Sequence, residues 1–276
     1  MALQPARPFD PALRQRIRSG LVLAAVALAA TVVGGWWFVV LILAAVVVMA
    51  GEWSRLATEV PAPRTLLVAT TAAIPALAVL ALALGRPVHA LGILIAGAVL
   101  LAGVGALALG WRPLRAAGGV LYVGLPALAL VWLRGDVPGG LQHLIWLFLV
   151  IWATDICAYL VGRSVGGPKL APRISPGKTW SGLMGGVAGA AIVGALAATG
   201  LGAGYWFAAA VGACLAVIGQ AGDLFESSLK RRAGVKDSGH LIPGHGGLLD
   251  RIDGLVFAAP AFAGLVWLGL TGGGTP

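Results

Sequence analysis

Residues 223–253 read Asp-Leu-Phe-Glu-Ser-Ser-Leu-Lys-Arg-Arg-Ala-Gly-Val-Lys-Asp-Ser-Gly-His-Leu-Ile-Pro-Gly-His-Gly-Gly-Leu-Leu-Asp-Arg-Ile-Asp. The chain holds 19 Lys and Arg and 10 Asp and Glu, and ten of those 29 charges fall within these 31 residues. Carboxylates mark both ends (Asp223 and Glu226, then Asp250 and Asp253), and Lys230, Arg231, Arg232 and Lys236 lie between them among glycines. Acids, cations and a bendable backbone together suit a metal-bound polyphosphate. Mg²⁺ takes one or two carboxylates plus phosphate oxygens, Lys and Arg offset the remaining phosphate charge, and glycine lets backbone N–H groups approach an anion.

Outside this stretch the chain is apolar. Hydrophobic residues are 59% of it and charged residues 11%, against roughly 45–50% and 25% in soluble domains. Such a composition belongs in a bilayer, and 42 glycines suit close helix packing in lipid. The net charge of +9 then reads as contact with an anionic leaflet rather than with nucleic acid. Cys157 and Cys214 each sit in an apolar run, which suits small buried hydrophobes better than a disulfide or a zinc site.

Residues 21–50 carry no charge, and this run of 30 exceeds the roughly 20 needed for one span. A hairpin of two helices turning at Gly34-Gly35 is expected, because it segregates the cations. With the N-terminus in the cytoplasm, 17 Lys and Arg face inward and only Arg86 and Arg134 face outward. Further apolar runs at 66–85, 90–109, 117–133, 139–162, 180–200, 203–222 and 254–271 complete the expectation. It is an all-α polytopic membrane protein of about nine transmembrane helices, N-terminus cytoplasmic and C-terminus outside. It lies in the inner (plasma) membrane with its site facing the cytoplasm.

Residues 1–140 read as a transmembrane scaffold, with a surface for a homodimer or for membrane lipids. Arg55, Arg112 and Arg115 are expected to snorkel, and Glu52 and Glu59 to pair with Arg55 at helical spacing. Residues 141–276 read as the catalytic region, with motif loops at 163–179 and 223–253. Asp155 lies within an apolar run, where an ionisable group marks a site or is satisfied by Tyr159 or a neighbouring helix. In Ile174-Ser175-Pro176-Gly177-Lys178-Thr179-Trp180, Ser175 looks like an N-cap followed by Pro at the first helical position. Lys178 in the first turn would then face a phosphate. Asp223, after an apolar run, is placed at the C-terminal end of a span, against the helix dipole. Asp250 and Asp253 open the last span on one face, where acids also complement the dipole. His240 and His245 lie in the loop; His245 contacts phosphate or shapes the turn, and the His and Cys spacing disfavours zinc.

The 27 positions from Ser227 to Asp253 resemble the signature of the phosphatidate cytidylyltransferase (CDP-diacylglycerol synthase) family. Ser175-Pro176-Gly177-Lys178-Thr179-Trp180 resembles a second motif of that family. Residues 155–162 resemble it too, with Ile156 and Cys157 where small residues are usual, and Ser181 replaces a Glu or Gln common in relatives. The resemblance implies synthesis of CDP-diacylglycerol and pyrophosphate from CTP and phosphatidate, with Mg²⁺, and leaves open a second metal or a monovalent cation. The metal ligands expected are Asp223 and Asp250, then Asp253 and Asp155. Asp223, Asp250, Lys178 and Lys230 are expected to be catalytic. Ser175, Lys178, Thr179, Lys230, Arg231, Lys236, His245, Gly246, Gly247 and Arg251 are expected to bind substrate. Two alternatives remain open: another lipid-phosphate transferase or CTP-dependent lipid kinase, and a polytopic transporter, whose ionisable groups would be spread around the midplane.

Overall fold

A computed structural model describes residues 11–57, 64–108, 113–242 and 246–270. Among them are nine α-helices: α1 (Pro11–Val33), α2 (Gly35–Leu56), α3 (Arg64–Ala83), α4 (Pro87–Ala108), α5 (Pro113–Gly135), α6 (Gly140–Val165), α7 (Trp180–Leu196), α8 (Tyr205–Arg232) and α9 (Leu249–Trp267). A short antiparallel pair, β1 (Lys169–Ala171) and β2 (Ser175–Thr179), stands between α6 and α7. A 22-residue helix such as α2 is about 33 Å long, which matches a hydrocarbon core of about 30 Å.

Six helices are long and apolar enough to cross a membrane, namely α2 to α6 and α8. Of the other spans expected, α1 contributes a shorter apolar segment, Arg18–Val33, and α7 is also short, at 17 residues. α9 opens with Asp250, Arg251 and Asp253. The fold is thus an all-α membrane architecture with one small hairpin added.

The 21–50 run does break in two. Gly34 adopts φ 69°, ending α1 at Val33 and starting α2 at Gly35. Arg134 of α5 secures the break by donating from Nε to the Thr31 carbonyl (2.6 Å) and from a terminal nitrogen to that of Val32 (3.1 Å). These are carbonyls that the end of α1 leaves without helical partners.

The β hairpin corrects one expectation. Ser175 is not an N-cap; it begins β2, and the helix starts five residues later at Trp180. The position before a proline disfavours helical φ/ψ, and Pro176 therefore keeps Ser175 extended. Thr179 is the cap instead, its Oγ1 accepting from the Gly182 N–H at 3.1 Å.

Two helical groups pack side by side, α2–α5 and α6–α9. α5 is the innermost: 72% of its apolar window is buried, against 28–44% for the other five long helices. Between the groups lies an aromatic cluster in which Tyr122 of α5 meets Trp53 of α2 (5.1 Å), Phe225 of α8 (5.7 Å) and Phe257 of α9 (6.2 Å).

The α8–α9 crossing positions the acids. At Gly222 a side chain would meet the Asp253 carbonyl oxygen at 2.8 Å and the Phe257 ring at 3.0 Å. A glycine here lets the two backbones approach closely enough to set Asp223 beside Asp253.

Gly222→Ala is therefore expected to push the helices apart and cost about 1–3 kcal/mol. Gly264→Ala on α9, where the added carbon meets nothing within 4 Å, should leave the unfolding midpoint unchanged or slightly higher. Thermal unfolding of both variants in detergent checks the pair.

Candidate active site

α8 is the spine of the site. Gln220, Asp223, Glu226, Ser227 and Lys230 follow three- and four-residue spacings, so one helical face carries them. The expectation that Asp223 ends a span is corrected. α8 continues nine residues beyond it to Arg232, and Lys230, Arg231 and Arg232 occupy the last turn, where positive charge suits the dipole. The first third of the 223–253 segment is thus helix rather than loop, because apolar Leu224, Phe225 and Leu229 continue the pattern of α8.

Two polar networks grow from this face. In the inner one, Lys230 Nζ donates to Glu226 Oε1 (3.0 Å) and to Asp250 Oδ1 (2.7 Å). The Tyr122 hydroxyl stands 3.5 Å from Glu226 Oε2. Asp250 Oδ2 accepts from the Ser238 N–H (2.8 Å), the Ser238 hydroxyl (3.0 Å) and the Gly247 N–H (2.8 Å). Burial alone would raise the Asp250 pKa, but Lys230 and the two backbone donors outweigh it and hold the carboxyl below its ordinary range. Its stabilising effect is complete at neutral pH and is lost as pH falls through that depressed value.

The outer network centres on Asp223. Lys178, at the end of β2, pairs with Asp223 Oδ2 and donates to Gln220 Oε1 at 2.8 Å. Ser227 Oγ donates to Asp223 Oδ1 at 3.2 Å. Asp253 feels the negative charges of Asp223, Glu226 and Asp155, and Asp155 feels the negative charge of Asp223 together with the positive charges of Lys178 and Arg251. Three helices, α6, α8 and α9, thereby bring acids into one region that Lys178 and Arg251 partly balance. No hydrogen bond joins Tyr159 to Asp155; the Tyr159 hydroxyl accepts from Arg163 at 2.6 Å.

The remaining expected residues are dispersed around these networks. Arg231 donates to the Ile174 carbonyl at 3.2 Å, tying the hairpin to the end of α8. Lys236 and Arg251 are exposed, Ser175 and Gly246 half-buried, and Thr179 and Gly247 buried. Gly246 has φ 87°, the left-handed region that favours glycine. His245, Glu59 and Arg112 lie outside the described residues.

Asp223 and Asp250 fall in different networks. Four donors already occupy the two Asp250 oxygens, and Lys230 is enclosed by two carboxylates rather than open to a phosphate. Among the described residues, no group of three or more His, Cys, Asp or Glu is placed to hold a metal ion by itself.

Three participants escape the sequence reading: Gln220, Tyr122 and Glu52. Glu52 of α2 is 4% exposed and accepts from the N–H groups of Leu248 and Leu249, both at 2.8 Å, and from the Ser238 hydroxyl at 3.1 Å. Its expected role as a partner of Arg55 is corrected, because its carboxylate turns inward to the last motif segment. The available signal is that Glu52 is the first acid after an uncharged run.

The sequence model of the Cytidylyltransferase family matches residues 14–268. The chain belongs to that family. A cytidylyltransferase-family relative from Brucella suis biovar 1 (strain 1330), named phosphatidate cytidylyltransferase, is 56% identical over 128 residues, 46% of this chain and 47% of the relative. Proteins of the same name from Synechocystis sp. (strain ATCC 27184 / PCC 6803 / Kazusa) and Staphylococcus haemolyticus (strain JCSC1435) are 50% identical over 125 residues and 46% identical over 123. These two matches span 45% and 44% of this chain and 42% and 47% of the relatives. The chain thus spans about half the length of the curated relatives it matches.

The two networks of this cytidylyltransferase-family site should respond differently to charge removal. Lys230→Met strands two buried carboxylates and is expected to cost about 3–5 kcal/mol, and Asp250→Asn should also lower the unfolding midpoint. Asp223→Asn relieves repulsion between acids and should leave the midpoint at or above that of the unaltered protein. Thermal scans of the three variants separate the roles.

Proposed function

We propose that this protein joins CTP and phosphatidate into CDP-diacylglycerol, releasing pyrophosphate, as an integral membrane enzyme of phospholipid biosynthesis. The observation that carries the reading is the Lys178–Asp223 pair flanked by Asp155, Asp253 and Arg251, in a chain matched by the family model over residues 14–268. The attacking group is a phosphate oxygen of the lipid, already ionised at neutral pH. No general base is required, which agrees with a site of acids and cations without a nucleophile–histidine pair.

The chemistry then rests on orientation and charge. Lys178, fixed by Gln220 and Asp223, points a positive charge at the acid cluster and is suited to the nucleotide phosphates. Arg251, exposed beside Asp155, is suited to offset charge on the departing pyrophosphate. The donor set fits a divalent cation of the Mg²⁺ type: Asp223 and Asp253 are adjacent carboxylates whose repulsion such an ion would relieve, with Asp155 beside them. Asp250 does not fit, because its lone pairs are already used. When bound, the ion, held by Asp223 and Asp253, would supply Lewis-acid activation and offset phosphate charge. Phosphatidate has its phosphate at headgroup depth, which suits Asp253, in the first two turns of α9.

Purified protein in phosphatidate micelles with CTP and Mg²⁺ should release pyrophosphate and form CDP-diacylglycerol. EDTA should abolish the reaction and excess Mg²⁺ restore it. Asp223→Asn, Asp253→Asn and Lys178→Met should each lower kcat by about 10²–10³-fold. Turnover of polyprenyl phosphate with none of phosphatidate would overturn the assignment.

The partition of Lys and Arg supports a cytoplasmic site. In a background lacking Cys157 and Cys214, a membrane-impermeant maleimide on intact cells should label Arg86→Cys. Val235→Cys, beside the motif segment, should be labelled only after permeabilisation. The reverse pattern would invert the topology.

A further inference from the structure

We propose that Glu52, on the second helix of the half otherwise read as scaffold, is a positioning residue that holds Ser238 against Gly247, Leu248 and Leu249 and so sets the start of α9 where Arg251 and Asp253 must act. As a role in catalysis this rests on the function proposed above; as a role in loop order it does not.

The start of α9 presents free N–H groups, and such a helix terminus attracts anions. Here the chain's own carboxylates fill it. Glu52 takes the N–H groups of Leu248 and Leu249, Asp250 takes those of Ser238 and Gly247, and the single Ser238 hydroxyl proton lies between the two acids at 3.1 and 3.0 Å. A carboxylate from α2 and one from α9 therefore clamp Ser238 to Gly247, Leu248 and Leu249. The N–H groups of these four residues are already taken by carboxylates, which assigns the nucleotide to the side chains of Lys178 and Arg251 instead.

The glycines of the segment are shaped to the same group. A side-chain carbon on Gly239 would meet Glu52 Oε1 at 2.7 Å, and one on Gly247 would meet it at 2.5 Å. Gly239 has no left-handed φ, so its lack of a side chain answers to space. The room it leaves is occupied by Glu52.

An amide in place of the carboxylate keeps the shape but loses acceptor capacity, and its NH₂ would face N–H donors. The start of α9 would then shift or fray, displacing Arg251 and Asp253. Small misplacements of positioned groups cost about 10²-fold in rate.

The test uses the full chain in nanodiscs and compares Glu52→Gln, Gly239→Ala and, as a control, Arg55→Gln, whose side chain is exposed one turn away. Hydrogen exchange needs no substrate: amides 247–249 should exchange about tenfold faster in the first two variants and unchanged in the control. With CTP and phosphatidate, kcat per folded molecule should fall about 10- to 100-fold, with the KM for CTP within about threefold of the unaltered protein's. Unchanged exchange at 247–249 overturns the clamp. Faster exchange with unchanged kcat per folded molecule overturns the catalytic role and leaves a structural one. If the unaltered protein makes no CDP-lipid, the proposed function fails while the exchange result still decides the clamp. Where Glu52→Gln does not accumulate, Gly239→Ala carries both readouts.

Discussion

A charge placed among apolar helices must be matched on the spot, because no water is present to compensate it. This constraint governs the inner network. Glu226 is fully buried and Asp250 and Glu52 nearly so, yet each meets a cation or N–H groups: Glu226 meets Lys230 of its own helix, Asp250 meets that lysine and the N–H groups of Ser238 and Gly247, and Glu52 meets the N–H groups of Leu248 and Leu249. Apart from Glu226 with Lys230, these pairings join groups far apart in the chain or on different elements. Satisfying them forces α2, α8 and α9 together.

With the inner network saturated, unmatched negative charge remains among the outer acids. Asp223, Asp253 and Asp155 repel one another, with Lys178 and Arg251 as the cations beside them. An arrangement that leaves negative charge uncompensated is costly for folding and useful for binding a cation with its nucleotide. One face of α8 thus serves both networks: Lys230 and Glu226 belong to the inner one, and Asp223 and Gln220, one to three turns earlier, hold Lys178.

Helix approach sets the spacing. The contact of Gly222 with the Asp253 carbonyl, and of Gly182 and Gly186 with the Ala158 and Thr154 carbonyls of α6, draws α8 against α9 and α7 against α6, close enough for short acidic side chains to share one region. Larger residues would hold these helices, and the acids they carry, further apart.

Much of this was legible in the sequence. The apolar runs announced the helices, since uncharged stretches of that length have no other use in a 59% hydrophobic chain. Gly34 gave away the break after α1, and the clustered charges of residues 223–253 marked a segment from which both polar networks draw side chains. Strand β2 was concealed because Ser-Pro serves equally as a helix start and as an extended segment, and the choice fell to Thr179 capping Gly182. Glu52 was concealed for a deeper reason: its partners are backbone N–H groups nearly 200 positions away, and a backbone donor leaves no mark in the sequence. Composition and patterning by themselves determined that the chain is helical, membrane-embedded and equipped with acids and cations for phosphate chemistry, because those properties depend on side-chain type and period. Tertiary structure alone decided which acids are spent on holding the fold and which remain for a ligand, because that depends on which donors three-dimensional packing delivers to each carboxylate.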